Sequence, residues 1–362
     1  MRVLFVDVGQ GTCQIILLGG RRAMIIDAGA SADLPLRTLR LFRIETIELL
    51  VVSHSHADHS GGFAKQHRFK EDAVTGIVAD YRNSIKRIGY VYDSQFRHRP
   101  LAQYLVKLLR DKTLRKEQLL MIEASERPHE LWVSEDRKTQ LAAISPLGGD
   151  HLLAMDADSP NASSVVLELR HQGDRVVFAA DSECDQWRDI YRLRNDRIME
   201  CKAVTMPHHG GLMQASDEDL MWFHDHAVDA DFIVVSVGTI NPHAHPRGEV
   251  IRAATASGSH VMCTQITEQC CSNLESLRPG VIGPSRYPCK SSSRPDFTGR
   301  AGRSRNVACA GTVTALLTPK GVLMECVDQH RVAVDALVVA GHAPLCRSAK
   351  RRGTAVPQRR RR

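Results

Sequence analysis

Short apolar runs separated by glycine-rich turns set the rhythm of this chain. Residues 3–8 (VLFVDV) and 14–18 (QIILL) flank Gly9-Gln10-Gly11, which predicts two strands joined by a tight turn. A third strand, 23–27 (AMIID), stops at Asp27-Ala28-Gly29, and residues 33–43 have helical spacing. Residues 47–53 (IELLVVS) are almost continuously apolar, as expected of a strand covered on both faces. Leu101, Leu105, Leu108 and Leu109 recur at helical spacing. Strands are predicted at 140–144, 164–169 and 174–180, the last ending at Asp181, with a helix following through Trp187 and Tyr191. Residues 202–207 form a short strand into His208-His209-Gly210, and 231–237 another into Gly238. A helix at 247–257 and a strand at 259–264 follow, and 311–317 with 321–327 read as a closing hairpin.

Strands and helices thus recur as two similar halves, which suits an α/β sandwich of two sheets with helices outside. Residues 265–306 break the rhythm, being rich in Ser, Pro, Gly, Arg and Cys. The expected organisation is a core over 1–264, an insertion over 265–306, closing strands of the core over 307–346, and a basic disordered tail over 347–362.

With 43% hydrophobic residues, the bulk of the 362-residue chain should be globular. It has no apolar run of about 18 residues, so a membrane span is not expected. The start, MRVLFVDVGQG, lacks a charged leader and long apolar stretch, so the expected location is the cytoplasm. The net charge of +7 conceals an asymmetry. Residues 347–362 contribute +8 and residues 278–306 contribute +6, which leaves −7 on the rest. Positive charge gathered in two appendages predicts contact with nucleic acid or another polyanion.

The chemistry concentrates in Ser53-His54-Ser55-His56-Ala57-Asp58-His59-Ser60-Gly61-Gly62. Four potential ligands occupy six residues directly after a buried strand. Imidazole and carboxylate suit zinc, and also manganese or iron. On an extended exit His54 and His56 point the same way, and Asp58 and His59, after the chain turns, can face a second ion.

On these residues the chain resembles the metallo-β-lactamase superfamily, whose signature is HxHxDH. It is further similar to the hydrolase domain of ComEC-type DNA-uptake proteins and their stand-alone relatives. The supporting motifs run in order: Asp7-Val8-Gly9-Gln10-Gly11-Thr12, Ile26-Asp27-Ala28-Gly29, the histidine run, Asn161-Ala162-Ser163-Ser164, Ala180-Asp181, Pro207-His208-His209-Gly210, and Ser236-Val237-Gly238-Thr239-Ile240-Asn241-Pro242-His243-Ala244-His245-Pro246. The subgroup has Asp where Thr12 stands, Gly where Ala180 stands, and Ser where Gly211 stands. The resemblance implies a four-layer αββα sandwich and two divalent ions, zinc or manganese. His54 and His56 would hold one and Asp58 and His59 the other, with Asp181 bridging them and His208 or His209 completing a sphere. Because 202–207 reads as a strand, only one of those two histidines should face the metal. Asp27 would hold the histidine loop. Asn161, Ser164, Ser236 and Asn241 would meet substrate.

The implied reaction is hydrolysis by a metal-activated hydroxide, oriented by Asp58, with His245 or a histidine of the 208–209 pair protonating the leaving group. The leading expectation is a phosphodiesterase acting on DNA or another nucleic acid captured by the insertion and tail. The alternatives are a hydrolase of a small phosphodiester, lactone or thioester, or a regulatory subunit of a larger system. Cys263, Cys270, Cys271, Cys289 and Cys309 form a separate group at wide spacing, a candidate site for one further, structural zinc.

Overall fold

Strands that are buried on both faces need partners on both sides, and the chain supplies them in layers. The computed structural model describes every residue except 68–69, 94, 124, 126, 147–159, 214–215, 240, 273–286, 290–306 and 347–362. The first sheet has eight strands in the spatial order Gly321–Met324, Val313–Thr318, Arg2–Phe5, Gln14–Gly19, Arg22–Ile26, Thr46–Val52, Ile88–Tyr90 and Leu119–Met121. The second has seven, in the order His260–Cys263, Val228–Val235, Met199–Thr205, Asp174–Phe178, Leu167–His171, Thr139–Ala143 and His129–Val133.

The period-2 alternation of strand side chains divides the apolar residues among three cores. Val3, Phe5, Leu49 and Val51 point between the sheets, where they meet Leu167, Phe178, Ala203 and Val234 from the second sheet. Leu4, Val6, Leu50 and Val52 point the other way, onto Leu39 of the helix Asp33–Leu41 and Leu101, Leu105 and Leu108 of the helix Pro100–Arg110. On the far side of the second sheet, Val177, Val204 and Val235 pack against Trp187 and Ile190 of the helix Cys184–Leu193 and Val250 and Ile251 of the helix Gly248–Ala256. The result is the helix–sheet–sheet–helix sandwich expected from the sequence.

Each sheet contains a parallel block. Arg22–Ile26, Thr46–Val52 and Ile88–Tyr90 run together in the first sheet. Asp174–Phe178, Met199–Thr205, Val228–Val235 and His260–Cys263 run together in the second. Ligands of α/β folds gather at the carboxyl ends of such strands. Those ends here carry Asp27, His54, Asp181, His208-His209 and Ser236, residues of five of the sequence motifs.

Two stretches depart from the sequence reading. Val327–Val339 is a helix, where closing strands alone were expected. Its N-cap position, Cys326, has φ +68° and its side chain does not cap the first turn, and the segment is rich in valine. No start signal marks it, and its composition favours a strand. Within 265–306, Gln265 bridges to Ala308 and Ile266, Cys270 and Cys271 are buried, so this stretch begins inside the core. Most of its remainder, and the whole tail 347–362, lies outside the described residues.

Candidate metal centre

The strand Thr46–Val52 ends in a turn and the four-residue helix Ala57–Ser60, which turns the ligand-bearing segment back on itself. The glycine turn from the first motif packs directly on it. A Cβ on Gly11 would stand 2.3 Å from the Asp58 carbonyl oxygen, and Thr12 N donates to that same oxygen at 3.1 Å. Close approach, together with φ +121°, is the reason for glycine at position 11.

Asp27 is the hub beneath the site. Its Oδ1 accepts from Ser53 N at 2.9 Å. Its Oδ2 accepts from Ser53 Oγ at 2.7 Å and Thr12 Oγ1 at 3.1 Å, and lies 2.8 Å from His59 Nδ1. A carboxylate can only accept, so His59 donates from Nδ1 and presents an electron pair at Nε2. The second sheet repeats the device. His209 Nδ1 lies 2.8 Å from the carbonyl oxygen of Ser236, so His209 likewise presents an electron pair at Nε2.

Those two Nε2 atoms are 3.2 Å apart. Asp181 Oδ1 lies 3.0 Å from His59 Nε2 and 3.4 Å from His209 Nε2, and Asp58 Oδ2 lies 3.4 Å from His209 Nε2. Asp181 Oδ2 is 3.8 Å from His54 Nε2, a buried atom with no hydrogen-bond partner among the described residues. Electron pairs of imidazoles and carboxylates converge here, and at these distances they repel unless a cation is shared among them. Protons or divalent metal ions can meet that demand, and the donor set of His and Asp suits zinc or manganese.

Two donor groupings result, His54 with His59 and Asp181, and Asp58 with His59 and His209. Asp181 faces both, with one oxygen towards each, as a bridging carboxylate would. His56 stands beside His54, with ring centroids 4.8 Å apart, but belongs to neither grouping.

The electrostatics follow from this convergence. Burial alone would depress His59, but the charges of Asp181 and Asp27 hold it well above the usual histidine value. Burial likewise opposes the charge on His209, yet Asp181 and the hydrogen bond to Asp58 raise it. His54 goes the other way, pushed down by burial and by His59. Burial pushes both carboxyls up, but the neighbouring histidines overcome it and hold Asp58 and Asp181 below the ordinary range.

His208 and His209 do not lie on a strand. The turn Pro207–Gly210 holds both in the left-handed region, at φ +49° and +54°. Such backbone is costly for a non-glycine residue and concentrates at functional sites. It sends His209 into the donor cluster and His208 towards Asn161, whose Nδ2 is 3.5 Å from His208 Nε2. Of the two, His209 is therefore the candidate ligand.

The centre opens into a cleft of about 350 Å³ lined by Gln10, His56, Asp58, Arg99, His208 and His245 among others. Burial, with His209 and His208 nearby, lowers the pKa of His245 to about 4, so it is uncharged at neutral pH. Asn161 borders the cleft through His208. Three of the expected substrate contacts have other occupations. Ser164 is fully buried. Ser236 donates from Oγ to the Gly11 carbonyl at 2.8 Å, joining the two halves of the site. Asn241 donates to the carbonyl of His245 at 2.6 Å and accepts from His243 N, shaping that turn. Arg99 was missed by the sequence reading. It precedes the helix Pro100–Arg110, far from any motif, and its chain position carries no signal of its proximity to His56.

A family model described as the metallo-β-lactamase superfamily matches residues 6–221, more than half of the chain, and that span holds His54, His56, Asp58, His59, Asp181, His208 and His209. The chain belongs to the metallo-β-lactamase superfamily. No curated protein matches it. Among solved structures it is similar to a mutant of the CmlA β-hydroxylase, at 14% identity and TM-score 0.45, covering 72% of this chain and 52% of that one. It thus spans about half the length of that relative. It is also similar to the metallo-β-lactamase fold protein YhfI from Bacillus subtilis, at 12% identity and TM-score 0.38, covering 72% and 95%. A diphosphatase from the PhnP family gives 13% identity and TM-score 0.34, covering 65% and 85%. The superfamily assignment accords with the donor cluster, whose residues it spans.

Proposed function

We propose that this protein is a metal-dependent phosphodiesterase acting on nucleic acid. The observation that carries the reading is the convergence of His54, His59, His209, Asp58 and Asp181 at the floor of a cleft that Arg99 also lines. A divalent ion held by these donors would supply Lewis acidity and a water acidified towards neutrality. The chain's own residues account for the rest. Asp27 and Ser236 fix the tautomers of His59 and His209, so both present Nε2 to the centre. Asp58, partly exposed at the cleft, can accept a hydrogen bond from the attacking water and orient it. Arg99 lines the cleft and offers a planar cation whose fork suits phosphate oxygens, as it does carboxylates. His245 and His208, both held neutral, can each give one hydrogen bond to substrate oxygens. Protonation of the leaving group by a charged His245 does not fit its depressed pKa, so that proton is assigned to water.

Nucleic acid is favoured over a small diester by the order of motifs, which resembles the ComEC-type DNA-uptake hydrolases, and by the charge gathered in 278–306 and 347–362. A small phosphodiester is the second reading, favoured by the net −7 of the rest of the chain, which repels a long polyanion away from the basic segments. Incubation of the purified protein with single-stranded DNA, duplex DNA, RNA and a chromogenic diester, each with manganese or zinc, tests both. Cleavage of a nucleic acid is expected. Turnover of the small diester alone would favour the second reading, and no turnover of any diester would end both.

A further inference from the structure

A second group of metal-binding side chains lies on the outer face of the second sheet and shares no residue with the first centre. The thiols of Cys309 and Cys346 and a ring nitrogen of His330 all fall within 4.8 Å of one another. All three residues are buried. Cys346 Sγ is 3.4 Å from His330 Nε2. A tetrahedral zinc, with Zn–S of about 2.3 Å and Zn–N of about 2.0 Å, sets a sulfur and a nitrogen about 3.5 Å apart. Two more buried thiols, Cys263 and Cys270, belong to the same core and lie near enough to Cys346 for its charge to act on both.

These side chains come from separate parts of the sequence. Cys263 ends the strand His260–Cys263, and Cys270 follows in the next turn. Cys309 returns beside that strand, with its N–H on the Thr264 carbonyl at 3.0 Å. His330 sits in the first turn of the helix Val327–Val339, and Cys346 follows that helix. Nδ1 of His330 is buried without a hydrogen-bond partner among the described residues, so the ring's polar contact is through Nε2, towards Cys346. An imidazole is costly to bury in such an apolar core unless its nitrogens are met.

We propose that Cys309, Cys346 and His330, with Cys263 or Cys270 in the fourth position, hold a structural zinc ion. Thiolate ligands select a soft or borderline cation, and full burial leaves no open position for a substrate. The ion ties the start of the 265–306 stretch, its return at Cys309, the last helix and the segment leading to the basic tail into one knot. Compared with the sequence expectation, Cys263, Cys270 and Cys309 remain, while His330 and Cys346 join. Cys271 instead has its thiol 3.3 Å from His342 Nε2, and Cys289 lines a separate hollow with Arg37 and Asp33.

Cobalt tests the site directly, because thiolate–cobalt charge transfer absorbs in the near ultraviolet and the His/Asp centre contains no sulfur. Full-length protein produced in cobalt-supplemented medium should show that band. Asp181→Asn should keep it entire. Cys346→Ser should lose it, together with one zinc equivalent by elemental analysis of zinc-grown protein. Absence of the band from the wild type, or a Cys309–Cys346 disulfide found by mass spectrometry of the unreduced protein, would overturn the proposal. Neither of those results depends on the Cys346 variant folding.

Discussion

Asp27 is buried beneath the cleft, and Ser53, Thr12 and His59 all orient on it. Replacing it by Asn turns one of its two acceptor oxygens into an NH2 donor, so Ser53 N and His59 Nδ1 can no longer both be met, and metal affinity or turnover should fall about 10–100-fold while the fold survives, as read by circular dichroism. Asp181 belongs to one donor grouping and lies 3.4 Å from His209 Nε2 of the other, so Asp181→Asn should cost more than that, whereas His245→Ala, at the cleft wall, should cost less. A kcat comparison of the three variants orders them, and equal turnover for Asp181→Asn and wild type would contradict the assignment. The same residues set a pH dependence. In metal-free protein His59 and His209 are raised above the unfolded value of about 6.5, so their stabilisation is complete below that pH and is lost as pH rises through the folded values. Asp58 and Asp181 are depressed, so theirs holds above about pH 4 and is lost on acidification. The melting temperature of chelator-treated protein should therefore fall as pH is raised above about 6.5, and added zinc should restore it. A flat profile would show that the histidines do not carry the shared protons.

At the scale of elements, the sequence made the strand into the histidine run plain, because the unbroken apolar run Leu49–Val52 must be covered on both faces. The same logic located Asp27, Asp181 and Ser236 at strand ends. It failed at Pro207–Gly210, where an apolar run was read as continuing the strand. Two non-glycine residues at positive φ leave no mark in a hydrophobic pattern, so His208 and His209 were expected to face opposite sides of a strand. Arg99 and the helix Val327–Val339 were missed for related reasons, one lacking a motif and the other a cap. Gly11 offers a test of how tightly the elements hold the site. Gly11→Ala brings a Cβ within 2.3 Å of the Asp58 carbonyl at a backbone angle unsuited to alanine, and should destabilise the protein by about 1–3 kcal/mol in denaturant titration. Unchanged stability would mean that the turn is looser than its contacts imply.

For the whole molecule, two sheets contribute one half of the centre each, with Asp27, Asp58 and His59 from the first and Asp181 and His209 from the second. No helix of the described residues is long and apolar enough to cross a membrane. The charge asymmetry adds a prediction that belongs to the full chain. Removing 347–362 takes away +8, so nucleic-acid affinity should weaken and its salt dependence flatten, while turnover of a small diester is unchanged. Identical salt slopes for the full and shortened chains would deny the tail a part in substrate capture. The most direct test of the account is metal withdrawal and return. Chelator-stripped protein should hydrolyse a chromogenic phosphodiester at background rate, regain turnover on addition of manganese or zinc, and fail to regain it when Asp181 is Asn. Stripped protein that retains full turnover, or an Asp181→Asn variant rescued to the wild-type rate, would contradict it.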